Sequence, residues 1–169
     1  MKKLILSYPK VLIKCNATLA EGPIWNHVSK ELTFVDILGR YIFIYKNKKN
    51  IKKFRLDNVI SSFLPKKKGE WIACGKNKIF KVKIIRKKIF FKKIKNIKQK
   101  ENNRLNDASI DEYGRIWVSS MDEKEISKSG NLIFFKNIDS PKKILGNFII
   151  GNGIDWSPCK KIMYFSVSD

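Results

Sequence analysis

Asn106-Asp-Ala-Ser-Ile-Asp111, a Glu-Tyr-Gly-Arg turn, and Ile116-Trp-Val-Ser-Ser120 form the stretch whose reading decides the fold. A polar residue heads a short strand, a turn follows, and an aromatic stands midway along the next strand. The same phrase occurs as Glu21-Gly-Pro-Ile-Trp25 before Leu32-Thr-Phe-Val-Asp36, and as Asn152-Gly-Ile-Asp-Trp156 before Ile162-Met-Tyr-Phe-Ser166. Asn106 and Asn152 lie 46 residues apart, and Glu21 precedes Asn106 by 85, close to two such intervals. Val59-Ile-Ser-Ser-Phe-Leu64, Trp71-Ile-Ala-Cys74, Lys78-Ile-Phe-Lys-Val82 and Lys88-Ile-Phe-Phe91 fill the gap as a middle copy.

Runs of aromatic and β-branched residues separated by turn-forming segments predict antiparallel strands, and helical periodicity is nearly absent. An interval of about 40–50 residues holding four short strands is the signature of a β-propeller blade. An immunoglobulin-like sandwich also has many short strands, but it does not repeat a polar head, turn and aromatic strand in register. The expected fold is all-β, a partial β-propeller of about three and a half blades out of six. The chain reads as one domain over residues 1–169, with blades at 14–57, 58–103 and 104–150 and a fourth that begins at Gly151 and holds two strands. Closing such a ring needs roughly 270 residues, so the sequence reads as truncated at its C-terminal side. The Lys- and Asn-rich segment Lys92–Asn103 is expected to be a mobile surface loop. Equivalent positions of a repeat occupy equivalent places, so the polar heads are expected to converge on one point along the inner strands.

The 36 basic and 15 acidic residues give a net charge of +21, which first suggests nucleic acid. Only five of the basic residues are Arg, the residue that base and phosphate recognition favours. The Lys residues alternate through strand segments such as Lys81-Val-Lys83, which predicts a solvated basic face. Cys15, Cys74 and Cys159 are odd in number and lack metal-site spacing, which argues against a disulfide framework and a thiolate zinc site. His27 is the only histidine, which excludes a His-rich metal site and a Ser-His triad. The apolar start Met1–Leu6 is too short for a secretory leader, and no run reaches membrane-spanning length. These readings predict a cytoplasmic protein with no specific nucleic-acid or membrane partner. Trp25, Trp117 and Trp156 are expected to pack between blades.

Leu19-Ala-Glu-Gly-Pro-Ile-Trp25, Asn103-Arg-Leu-Asn-Asp107, Asp111-Glu-Tyr-Gly-Arg-Ile-Trp-Val-Ser-Ser-Met121 and Asn152-Gly-Ile-Asp-Trp156, in that order and spacing, resemble the SMP-30/gluconolactonase/regucalcin family. The resemblance implies a six-bladed propeller with a divalent metal (Ca, Zn, Mn or Mg) on its axis and hydrolysis of sugar lactones. By it, Glu21 and Asn152 are metal ligands, Arg104 and Asn106 hold the sugar, and Glu123 is the acidic substrate contact after Met121, with the neighbouring Asp122 one residue out of register. It places the proton-accepting Asp in a later blade, so no residue here takes the catalytic role. Ala108 stands where the family usually has Gly, and Val167 where it usually has an acidic residue.

The residue types support this independently. A carboxylate with an amide oxygen is a hard donor set suited to Ca²⁺, Mg²⁺ or Mn²⁺. Arg104 offers a fork of donors, and Asn106 can both donate to and accept from hydroxyls. The expected function is metal-dependent lactone hydrolysis, impaired in this chain alone, with a second chain completing the ring as the expected partner. A non-catalytic metal- or carbohydrate-binding remnant and a basic nucleic-acid-binding protein are the competing readings.

Overall fold

The computed structural model describes residues 8–48, 50–67 and 69–169, with Lys67 by its backbone alone; the Met1–Leu6 stretch lies outside the described residues. Among the described residues, fourteen strands form antiparallel blades. The first blade is β1 (Ala20–Asn26), β2 (Glu31–Asp36), β3 (Tyr41–Asn47) and β4 (Asn50–Arg55). The second is β5 (Ile60–Lys67), β6 (Glu70–Gly75), β7 (Lys78–Ile85) and β8 (Lys88–Asn96). The third is β9 (Asn103–Ile110), β10 (Ile116–Asp122), β11 (Gly130–Phe135) and β12 (Pro141–Phe148). β13 (Ile150–Trp156) and β14 (Met163–Ser168) pair as a fourth unit, and a Met121–Ile150 bridge ties them to the third blade. No helix occurs among the described residues, hence none is long and apolar enough to cross a membrane.

The core lies between blades, because alternate residues of each middle strand face opposite neighbours. Val35, Ile42, Ile44 and Phe54 of the first blade meet Ile60, Phe63, Ala73 and Val82 of the second. Leu64, Ile72 and Ile79, from the other face of the second blade, meet Leu105, Val118, Ile133 and Phe135 of the third. Leu132 and Phe148 meet Ile154, joined by Trp117, Trp156 and Phe165. The inner strands β1, β5, β9 and β13 lie side by side along the concave face of this arc, which makes the fold a partial propeller.

Two sequence expectations are corrected. Lys92–Asn96 continues β8, and the connection is confined to residues 97–102. The outer edge of a blade is solvated on both faces, so its strand carries no apolar alternation to identify it. Trp25 is 44% exposed rather than packed between blades, whereas Trp117 and Trp156 make an edge contact at 6.4 Å.

The β7–β8 hairpin turns through Arg86 (φ 48°) and Lys87 (φ 66°), flanked by the Ile85–Lys88 pair. Two consecutive left-handed residues form the turn that Asn-Gly favours, and each ordinary side chain there is disfavoured. Arg86→Asn combined with Lys87→Gly is expected to stabilise the protein by about 1 kcal/mol. A thermal melt rising by several degrees supports this, and an unchanged or lower midpoint refutes it.

Candidate functional site

Each inner strand breaks register with its neighbour at the same level. The shift lies between Glu21 and Ile24 in β1, between Ile60 and Ser62 in β5, opposite Ser119 in β9, and between Asn152 and Ile154 in β13. A bulge re-aims the side chains beside it and is over-represented next to active sites. Gly22 (φ 58°) and Gly153 (φ 57°) supply the left-handed backbone in β1 and β13, where a side chain would be strained. The recurrent polar heads of the sequence are thus the residues at these bulges.

They converge. Glu21, Ser61, Asn106, Asp107 and Asn152 line one cavity of about 10 Å³. That is room for about one water-sized sphere, enough for a single ion but not for a sugar. Glu21, Asp107 and Asn152 also face a larger cavity of about 680 Å³ along the concave face, with Trp25, His27 and Asp155 further down.

Glu21 is half-buried, and its carboxylate makes no hydrogen bond or ion pair among the described residues. Asn152 is exposed, and its Oδ1 accepts only from the N–H of Gly153, at 3.1 Å. Both therefore keep oxygen lone pairs free. Asn106 is more committed: its Nδ2 donates to Gly151 O at 2.9 Å, and its Oδ1 accepts from Arg104 Nη1 at 2.7 Å. Arg104 also donates to Leu105 O at 3.1 Å, and it lines neither of the two cavities. Burial lowers the Arg104 pKa, while the carboxylates of Glu123, Glu125 and Glu21 oppose that shift and support its charge.

Asp122 and Glu123 separate cleanly. Asp122 is buried and accepts from the N–H groups of Ser127 (2.7 Å), Ile126 (3.2 Å) and Lys124 (3.4 Å), which hold its pKa below the usual carboxylate range. It caps its own turn. Glu123 points outward and accepts from Lys76 Nζ at 2.6 Å. Of the two, only Glu123 is exposed, and it is paired with Lys76 and lines neither of the two cavities.

Asp107 and Ser61 were not identified from sequence. Asp107 Oδ2 accepts from Ile154 N at 3.3 Å and Oδ1 from Ala108 N at 2.8 Å. Burial raises its pKa against those backbone donors. Ser61 is buried, donates to Cys74 O at 3.2 Å, and is the second blade's counterpart of the polar heads. Its signal was the Ile60-Ser-Ser-Phe63 stretch of the middle copy.

The donors fit a hard divalent ion: Glu21 and Asn152 offer free oxygens, and Asp107 adds a nearby anion. No group of three or more His, Cys, Asp or Glu able to hold a metal occurs among the described residues. Cys74 offers no alternative thiolate, since complete burial pushes its pKa up to about 12. Exposed Cys159 is instead shifted down by a contact with Ser157 at 3.2 Å. A maleimide at neutral pH is therefore expected to label Cys159 at least tenfold faster than Cys74; equal rates would show that the core around Cys74 opens freely.

The chain has relatives of known sequence and structure. Regucalcin of Oryctolagus cuniculus is 28% identical over 156 residues, covering 89% of this chain and 52% of that protein. Among solved structures, luciferin-regenerating enzyme superposes with a TM-score of 0.81 at 25% identity, over 89% of this chain and 52% of that one. A calcium-binding protein, regucalcin, from Agrobacterium tumefaciens superposes with a TM-score of 0.79 at 18% identity, over 92% of this chain and 52% of that one, a likeness of fold. The chain spans about half the length of the curated relatives it matches. With residues 19–169 matching the SMP-30/Gluconolactonase/LRE-like region, from just before Glu21 to beyond Asn152, this chain belongs to that family.

Proposed function

We propose that this chain carries the metal- and sugar-binding side of a sugar-lactone hydrolase. Glu21 and Asn152 would hold a divalent cation, Ca²⁺, Mn²⁺, Mg²⁺ or Zn²⁺, while Arg104, Asn106 and Glu123 contact the sugar. The observation that carries this reading is the convergence of Glu21, Asn106, Asp107 and Asn152 on a cavity the size of one ion. A bound divalent ion polarises a carbonyl and lowers the pKa of water. Arg104 supplies positive charge and directed N–H groups to substrate oxygens beside it. Asn106, clamped between Gly151 O and Arg104, presents a fixed amide rather than a freely rotating one. Hydrolysis adds water across the ring ester, breaks the acyl carbon–oxygen bond, and yields a hydroxy acid that releases a proton.

Calcium is the first candidate, because the donors are hard oxygens and the Agrobacterium neighbour is a calcium-binding protein. The remaining blades, on the same or a second polypeptide, are part of the proposal. The free cysteines Cys15, Cys74 and Cys159 suit the reducing cytoplasm. Proton release from an aldonolactone, followed with the full chain and each metal in turn, tests the reading. Turnover lost on chelation supports it, and a rate equal to buffer at saturating metal refutes it for this chain. Cation binding without turnover would favour a binding module instead.

A further inference from the structure

We propose that Asp107 is the positioning residue of this site, holding the β13 bulge so that the Asn152 amide stays beside Glu21. The inference rests on the reading of Asn152 as a cation ligand. Asn152 itself is weakly restrained: it is exposed, it precedes a left-handed glycine, and its side chain bonds only to the next residue's N–H. Beyond its ladder pairing with Ser166 of β14, what restrains it comes from the third blade.

Three ties cross from β9 and β10 to β13 within four residues. Asp107 Oδ2 accepts from Ile154 N at 3.3 Å, two residues after Asn152. Ser119 Oγ donates to Gly151 O at 2.7 Å, one residue before it, and accepts from Asp107 N at 3.1 Å. Asn106 Nδ2 donates to the same Gly151 carbonyl at 2.9 Å. Asn152 is therefore bracketed on both sides by atoms fixed from the neighbouring blade. Gly151 permits the close approach, since a Cβ there would lie 2.7 Å from Ser119 Cβ.

Asp107 is suited to this role by its own bulge. Asn106 and Asp107 together oppose Ser119, so both can turn toward β13, which adjacent residues of a regular strand cannot do. Groups that orient a metal ligand are commonly worth about 10–100-fold in affinity.

Asp107→Asn keeps the shape but removes one acceptor oxygen. Hydrogen exchange of the Ile154 amide is expected to quicken at least tenfold relative to Phe165 in the same hairpin, and Mn²⁺ affinity to fall about 10–100-fold. A purely structural role would lower the melting point without changing the Mn²⁺ dissociation constant. An unchanged Ile154 exchange rate or an unchanged dissociation constant overturns the inference. Should the wild-type chain bind no Mn²⁺, the proposed function fails, while Ile154 exchange still decides whether Asp107 holds the bulge. Should Asp107→Asn not fold, a through-hydrogen-bond scalar coupling between the Ile154 amide and the Asp107 carboxylate is sought in the unmodified chain. Its presence supports the tie, and its absence overturns it.

Discussion

Replacing Asp36 with Ala is expected to destabilise the protein by about 3 kcal/mol or more, because it strips the acceptor from three backbone donors at once. Asp36 closes β2 and is buried, 3% exposed. It accepts from Leu19 N at 2.9 Å, Gly39 N at 2.9 Å and Thr18 N at 3.1 Å. Each orphaned, partly buried N–H costs about 1 kcal/mol or more. Gly39 is required for this clasp, since a Cβ there would sit 2.0 Å from Asp36 Oδ2. The clasp anchors the chain entering β1 two residues before Glu21, so the fold and the site share this determinant. A related device recurs at Asp169, which accepts from Ile149 N at 3.3 Å just ahead of β13.

The charge state follows from the same contacts. Burial pushes the Asp36 pKa up, but the N–H groups of Leu19, Gly39 and Thr18, with the nearby Lys53 charge, outweigh it and leave the pKa below the ordinary value. A carboxylate depressed in the folded state stabilises at pH above its unfolded pKa, about 4, and that stability is lost as pH falls through the folded value. Asp36→Asn is therefore expected to be less stable at pH 7 and to lose less on acidification than wild type. Asp111 and Asp122 also lie below the usual range and contribute equally to both proteins, so the difference between two urea-melt series isolates Asp36. Parallel losses in the two series, or an Ala variant within about 1 kcal/mol of wild type, would contradict the clasp.

The residues that made the fold legible are those constrained by two neighbours. The middle strands β2, β6, β10 and β11 are largely buried on both faces and carry apolar runs such as Trp71–Cys74, Ile116–Val118 and Leu132–Phe135. Glycine marks the turns at Gly39, Gly69, Gly75, Gly114 and Gly130, whereas the connections at 27–30, 136–140 and 157–162 carry none, and nothing in the composition marks the β7–β8 hairpin at Arg86-Lys87. The outer strands β4 and β12 are mostly solvated and hold Lys where a core strand holds Val or Ile, so apolar periodicity does not reveal them. The shared cavity was legible through the repeat: Glu21, Asn106 and Asn152 line it because blades repeat, whereas Arg104 and Glu123 lie outside it. Asp107 escaped because strand alternation assigns residues 106 and 107 to opposite faces, and only the bulge brings both to one side. Ser61 escaped for the same reason, with its bulge between Ile60 and Ser62.

Changing charge at Glu21 and Asn152 in opposite directions distinguishes a cation site from a sugar-only site. Glu21→Gln keeps the volume and removes the only carboxylate of the proposed pair, so Ca²⁺ and Mn²⁺ affinity is expected to fall on the order of 100-fold or more. Asn152→Asp adds a second carboxylate facing the same cavity. Cation affinity follows the number of charged ligands, so this variant is expected to bind Ca²⁺ roughly tenfold more tightly than wild type. Without metal, the new carboxylate faces Glu21 and Asp107 and should lower the melting point. Added Ca²⁺ should restore it, because a ligand at about 100 times its dissociation constant contributes about 2.7 kcal/mol. A site that only binds sugar hydroxyls predicts neither the gain nor the Ca²⁺-dependent rescue, since a second carboxylate beside Glu21 would bring repulsion alone. Calorimetric titration together with melts in Ca²⁺ and in chelator reads both effects, and weaker Ca²⁺ binding by Asn152→Asp than by wild type would remove the cation from this site.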